Sequence, residues 1–337
     1  MREPNLWKSE KDFYLNVLVN PWYKLLVKLE NLVSMETMKF YEEKGIITMH
    51  LPVTTGSISS PMGRGSDSLP VKVNLEGIDT YLADSMQFLL EYGCRLNEKG
   101  VYYVMPSFRG EKADERHLCQ FYHSEAEIPG NLEDVINLVE EYVKYLSKKI
   151  LENFKEELEK AIGDVSHIEK IANYKGNFPR ITFNQAEQAL KEKFGDNLND
   201  YIEYNDGWRN ITRKAEQELI KIYDGIVWIT NYDILAVPFY QKFDNDLAGT
   251  TNLLFGIGET VGCGERHQND MDLLKSMKLH EVDKEEYEWY IKLKEKYPLQ
   301  TAGFGMGIER YLMWVLKASD IRNMQICLRF NGKNILP

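Results

Sequence analysis

Three short stretches hold most of the side chains able to do chemistry. In HLCQFYHSEAEI, strand alternation puts His117, Cys119, Phe121, His123, Glu125 and Glu127 on one face and Leu118, Tyr122, Ala126 and Ile128 on the other. A partner strand before it carries Arg109 and Glu111 two residues apart on a single face, and the turn between the strands supplies Arg116. Charges paired across a solvated sheet face would explain this segment taken alone. Two arginines, three carboxylates, two histidines and an aromatic converging on one surface suit a nucleotide better. Phe121 offers a stacking plane, and Arg109 and Arg116 offer forked donors that match phosphate geometry.

In TAGFGMGIER, glycines 303, 305 and 307 fall at period two, which leaves one strand face bare so that a flat ligand can lie against the backbone. Arg310 then sits in the first turn of the last helix, where free amides and the helix dipole favour phosphate. Close strand packing is the competing explanation of the glycines. The third stretch, NLLFGIGETVGCGERH, sets Asn252 and Glu259 seven apart and Arg266 seven further on. A carboxylate and an amide oxygen near bound phosphates can hold magnesium, which takes oxygen ligands and keeps several waters. A tight turn would explain these glycines equally well, but not Glu259, Glu265 and Arg266 crowded among apolar residues. A Walker loop is absent, and the 27 residues after Arg310 leave no room for a second dinucleotide-binding half.

The elements that must position these groups are readable from period and punctuation. Leu25, Leu29, Leu32, Val33 and Met38 recur at helical spacing over 22–45 and stop at Gly45. IITMHLPVTT reads as a strand, and GSISSPMGRGSDSLP after it as a mobile loop. Residues 101–128 read as two strands joined by the charged turn EKADER. A long helix is expected over 132–162, with Asn131 as N-cap, a stripe of Val135, Val139, Tyr142, Leu146 and Ile150, and Gly163 past its end. Further helices are expected at TFNQAEQALKEKFG and near 212–223, strands at GIVWITNYD, TTNLLFGIGE and TAGFGMG, and a last helix from Ile308 to about Ala318. Hairpins with few βαβ units predict an α+β fold, a mostly antiparallel sheet with helices packed against it. The whole chain, 1–337, reads as one domain with a helical insertion at about 130–224.

With 337 residues, 43% hydrophobic and 28% charged, the chain can bury a full core. No window approaches a membrane span and the N-terminus is charged, so a cytoplasmic protein without a membrane partner is expected. Cys94, Cys119, Cys263 and Cys327 lie far apart with no CxxC pair and read as reduced thiols. A net charge of −11 works against a large phosphate-binding surface, so tRNA starts at a disadvantage as a partner.

FRGEKADERHLCQF with SEAEI resembles motif 2 of class II aminoacyl-tRNA synthetases, and GFGMGIER resembles motif 3. ETVGCGER, PFYQK, EEYEWYIKLKEKY and IRN resemble the asparaginyl members most, the aspartyl members next, and the likeness runs from about residue 20 to the C-terminus. It implies a six- or seven-stranded antiparallel sheet flanked by helices, and a homodimer built on the motif 1 helix and the strand ending near Pro52. It implies ATP and Mg2+ as cofactors and an amino acid as the other small-molecule partner. By position, Arg109 would contact the α-phosphate, Glu111 the adenine amino group, and Arg116 and His117 the outer phosphates. Phe121 and Arg310 would sandwich adenine over Gly307, with Arg310 also reaching the γ-phosphate. Glu259 would be a magnesium ligand, with Asn252 standing where the family has aspartate. Ser57, Ser85, Gln87, Glu125, Arg266 and Gly305 would form the amino-acid pocket, Glu125 facing the side-chain amide and Arg266 gripping the side chain.

The chain departs from that pattern in three places. With only about 20 residues before motif 1, no N-terminal anticodon-binding OB-fold is expected in this sequence. Ser60 and Arg64 stand where the lid of the family carries a glutamate for the α-amino group, which predicts an acid whose α-amino group is blocked, absent or moved. Leu90 stands where aspartyl enzymes carry lysine, against plain aspartate. The resemblance therefore implies an ATP-dependent, adenylate-forming ligase that passes an asparagine- or aspartate-like acyl group to ammonia or a small amine without tRNA. A tRNA- or carrier-charging enzyme working with a partner in trans is the next reading. A non-catalytic sensor of amino acid or nucleotide is the third, and Asn252 is the residue that favours it.

Overall fold

The computed structural model describes residues 1–8, 11–60, 64, 68–333 and 335. Much of the expected lid, at 61–63 and 65–67, lies outside the described residues. The centre of the fold is an eight-stranded sheet. Its strands in chain order are β1 (Ile47–Thr48), β2 (Val101–Phe108), β3 (Gln120–Pro129), β4 (Arg180–Thr182), β5 (Ile226–Thr230), β6 (Thr250–Phe255), β7 (Gly258–Glu265) and β8 (Thr301–Gly307). Their spatial order is β1-β2-β3-β8-β7-β6-β5-β4. The six central strands pair antiparallel, and only the short edge strands β1 and β4 run parallel to their neighbours.

The helices that cover one face begin and end where side chains satisfy free backbone groups. Helix α1 (Pro21–Glu43) starts on Asn20, whose side chain accepts from Trp22 N at 2.9 Å. It is followed by Gly45 at φ 70°, a turn that a Cβ would strain. Helix α2 (Leu132–Ile162) opens with a reciprocal capping box between Asn131 and Asp134 and is followed by Gly163. Its buried stripe, including Val135, Val139, Tyr142, Leu146 and Ile150, packs with α1 and the last helix, α5 (Ile308–Val315), onto the sheet. Helices α3 (Phe183–Phe194) and α4 (Arg213–Ile222) build a second apolar cluster with β5. No helix among the described residues is long and apolar enough to cross a membrane.

Two local expectations change. IITMHLPVTT is not one strand: Ile47–Thr48 joins the main sheet, whereas Thr54–Thr55 joins the separate hairpin of Val71–Leu75 and Ile78–Leu82. Pro52, which has no N–H to give a ladder, lies between the two pieces. Arg109, Glu111, His117 and Cys119 are not on a strand face, because β2 ends at Phe108 and β3 begins opposite it at Gln120. They stand in the connection to β3, where side chains can turn back over the sheet.

Candidate active site

The sheet face away from α1 and α2 floors a cleft of about 890 Å³. The structure brings together there Arg109, Glu111, Arg116, His117, Phe121, Gly307, Arg310, Ser85, Gln87, Glu125, Arg266, Gly305, Glu259 and Asn252. Ser57 is placed elsewhere. It lines an adjoining cavity with Trp289, where its hydroxyl donates to Glu286 O at 2.5 Å and accepts from Trp289 Nε1 at 2.9 Å.

At the basic end, the Arg109 guanidinium lies 5.4 Å from the Phe121 ring centroid, and its Nε is buried with no hydrogen-bond partner among the described residues. Arg116 donates Nη2 to Glu216 Oε2 at 2.5 Å, while its buried Nε and Nη1 find no partner among the described residues. Buried donors of that kind are costly unless something accepts from them. Arg310 is anchored by a 2.8 Å bond from Nη1 to the Glu259 carbonyl. His117 Nδ1 stands between Asp114 Oδ1 at 3.0 Å, to which it can donate, and Arg213 Nη2 at 2.9 Å, from which it can accept, one or the other according to its tautomer. Burial, and then the Arg310 charge, push its pKa below the ordinary histidine value, with Asp114 opposing the shift.

Glu259 is the carboxylate of this end. Burial pushes its pKa up, Glu216 adds to the rise, and Arg310, Arg109 and Arg116 oppose it. Asn252 on β6 donates to it across the β6–β7 hairpin. A Cβ at Gly262 would come within 3.1 Å of Glu259 Oε1 and 3.7 Å of Asn252 Oδ1, so the glycine leaves these oxygens their room. One carboxylate and one amide oxygen beside a cluster of arginines are a donor set that could take a magnesium ion, which prefers oxygen ligands and keeps several waters.

The other end holds Glu125, Glu127 and Arg266. Glu125 accepts from Ser85 Oγ at 2.6 Å and meets His123 Nδ1 at 2.8 Å. Burial pushes its pKa up, but His123, Ser85 and Tyr103 together outweigh that and hold it below the usual carboxylate value. Arg266, 3% exposed, donates Nε and Nη2 to Glu127 and Nη1 to Gln241 Oε1 at 2.7 Å. The glycine run explains this packing only in part as expected. A Cβ at Gly303 would lie 1.8 Å from Glu127 Oε2, and one at Gly264 would lie 1.8 Å from Gln241 Oε1. Those two glycines make room for the chain's own side chains, and Gly305 and Gly307 are the ones of the motif that face the cleft.

Sequence reasoning missed Arg213 and Glu216 on α4, which look there like an ordinary solvated helix face, and Asp84, which directly precedes Ser85 but was not singled out with it. Tyr240 and Gln241 were marked only through PFYQK.

The sequence matches tRNA synthetases class II (D, K and N) over residues 8–327. It is 29% identical over 323 residues to an asparagine–tRNA ligase of Bacillus cereus, covering 88% of this chain and 68% of that protein. The fold is similar to asparaginyl-tRNA synthetase from Pyrococcus horikoshii complexed with asparaginyl-adenylate, with a TM-score of 0.87 at 24% identity, over 100% of this chain and 76% of that one. It is also similar to the Entamoeba histolytica asparaginyl-tRNA synthetase in complex with asparaginyl-adenylate, with a TM-score of 0.82 at 20% identity, over 99% of this chain and 72% of that one. With a family match spanning nearly its whole length and a sheet, helices and cleft to go with it, the chain belongs to the class II tRNA synthetases (D, K and N), a family of ATP-dependent ligases.

Proposed function

We propose that this chain activates asparagine, or a close analogue, as its adenylate with ATP and magnesium, and hands the acyl group to a nucleophilic acceptor. The observation that carries the reading is one cleft with buried guanidinium donors of Arg109 and Arg116, unpartnered among the described residues, at one end and Glu125 and Arg266 at the other. In this reading the substrate carboxylate attacks the α-phosphorus in line and pyrophosphate leaves. Arg109 neutralises the α-phosphate, Arg116 and His117 hold the outer phosphates, and Phe121 and Arg310 enclose adenine, with Glu111 accepting from its amino group. Catalysis is then positioning and charge stabilisation, with no protein nucleophile. Glu259 and Asn252 would hold magnesium, which supplies neutralisation of phosphate charge when bound.

The side-chain end supports an amide over a carboxylate. An ionised Glu125 accepts from an amide N–H and repels a second carboxylate. Arg266 uses three of its nitrogens on Glu127 and Gln241, which leaves one N–H on each terminal nitrogen for an amide oxygen.

For the acceptor we propose ammonia or a small amine, on the strength of the net charge of −11. The second reading is tRNA, favoured by the relatives named asparagine–tRNA ligase. We also propose a homodimer, with the exposed Val27, Met35 and Met38 of α1 and nearby Ile47 and Val53 in the contact. Pyrophosphate exchange over a panel of amino acids tests the first step, and acyl transfer to tRNA, ammonia or amines tests the second. Exchange with no asparagine-like acid would overturn the reading, and acylation of tRNA alone would replace the amine by tRNA.

A further inference from the structure

We infer that Asp84 is the group that receives the substrate's α-ammonium, an assignment resting on the proposal that the cleft activates an amino acid. Asp84 lies between the Ile78–Leu82 strand and the helix Gln87–Gly93, is 4% exposed, and lines the cleft beside Ser59, Ser85 and Gln87. Its Oδ1 accepts from Ser59 N at 3.2 Å and its Oδ2 from Ser59 Oγ at 2.7 Å. Both donors are neutral, and no salt bridge among the described residues includes Asp84. Burial pushes its pKa up in spite of Ser59 and of the Arg109 charge. A carboxylate buried without a counter-charge is costly, and a cation entering from the cleft removes that cost.

The remaining carboxylates at this end are already committed. Glu125 is matched by His123 and Ser85, and Glu127 by Arg266. Tyr240 lines the same cleft, and burial first, then the charges of Arg266, Asp84, Glu125 and Arg109, act on its hydroxyl. An amino acid with its carboxylate toward Arg109 and its side chain toward Glu125 and Arg266 has one polar group left, and Asp84 is the charge that suits it. Gln87 Nε2, buried and without a partner among the described residues, adds a donor for a substrate oxygen.

This reverses the preference expected from Arg64 in the lid. Arg64 bonds through its N to Leu235 O at 2.9 Å, and its guanidinium is 3.8 Å from Glu281. Its charge is partly met there, while a carboxylate from a different segment faces the substrate.

The test is calorimetric binding of asparaginyl sulfamoyl adenosine and of its deamino counterpart to the wild type and to Asp84→Asn. The Asn side chain keeps an acceptor for Ser59 N, and Asp84→Ser is a second neutral variant should the first fold poorly. The wild type should prefer the amino compound by ~10-fold or more, the range of a charge-assisted hydrogen bond. Both variants should lose most of that preference and keep their affinity for the deamino compound. An unchanged preference overturns the assignment. Equal weakening of both compounds also overturns it, since Asp84 would then only hold the Ser59 loop. A wild type that binds the deamino compound but shows no preference sinks Asp84 alone, whereas one that binds neither defeats the adenylate reading itself.

Discussion

Asn252 donates its side-chain N–H to Glu259 Oε2 at 2.8 Å, across a hairpin whose register slips between Leu253 and Leu254. The amide does two things that a carboxylate there could not. It satisfies Glu259 without charge, and it spares the pair the repulsion of two adjacent anions. Asn252→Asp should therefore lower the thermal midpoint without magnesium and raise the gain on adding it. It should also lower the magnesium concentration for half-maximal pyrophosphate exchange, because two charged oxygens bind the ion better than one. A magnesium titration unchanged in both readouts would remove position 252 from the ion's surroundings.

Arg109 stands over Phe121 with a buried, unpartnered Nε, so its main interactions are left for a ligand. Arg109→Ala should cost ~10²–10³-fold in kcat for pyrophosphate exchange, the usual scale for losing one preorganised charge donor. Its thermal midpoint should stay close to the wild type, because among the described residues the one ion pair of this guanidinium is a long one, to Glu111 at 3.9 Å. Near-normal exchange would take Arg109 out of the mechanism.

Glu127 and Arg266 form the opposite case, an ion pair 1% and 4% exposed at the side chain, with Gln241 as a neutral third member. Glu127→Gln leaves the guanidinium buried with its counter-charge gone, which should destabilise the fold by about 3–5 kcal/mol in denaturant unfolding. Loss of substrate affinity should accompany it, since Arg266 would turn toward whatever carboxylate remains nearest. Unfolding that stays within ~1 kcal/mol of the wild type would mean that the pair contributes little to the fold.

These contrasts mark what was legible in the chain. Period and caps located α2 to its ends, because Asn131 and Gly163 are local signals that owe nothing to distant contacts. The motifs placed most of the cleft, because alternation on β3 decides which of its residues face the same way. What stayed hidden was set by long-range approach. That Gly303 and Gly264 house Glu127 and Gln241, and not a ligand, depends on which strands become neighbours. Arg213 and Glu216 belong to the cleft only because α4 packs over β6 and β7. Ser57 leaves the site because Trp289 and Glu286, more than 200 residues along, capture its hydroxyl.

Glu309 opens α5 fully inside the protein, with both oxygens accepting from Tyr122 N at 3.1 and 3.0 Å. Burial pushes its pKa from 4.5 up to about 7, the Tyr122 N–H works against the rise, and Glu30 adds to it. Glu30 on α1 is itself raised to about 7 by burial. A carboxyl with a raised folded pKa binds more protons folded than unfolded between the two values, so stability falls as pH rises through that window. Below about pH 4.5 both states are protonated and above about pH 7 both are ionised, so the dependence flattens on either side. For Glu309 the span amounts to about 3 kcal/mol. Glu309→Gln keeps an acceptor for Tyr122 N and removes the charge. It should match the wild type near pH 4.5, exceed it by up to about 3 kcal/mol at pH 8, and flatten the slope between. Unfolding curves of both proteins at half-unit pH steps decide the matter. Parallel slopes for the two would show that Glu309 titrates at its ordinary value in the folded chain.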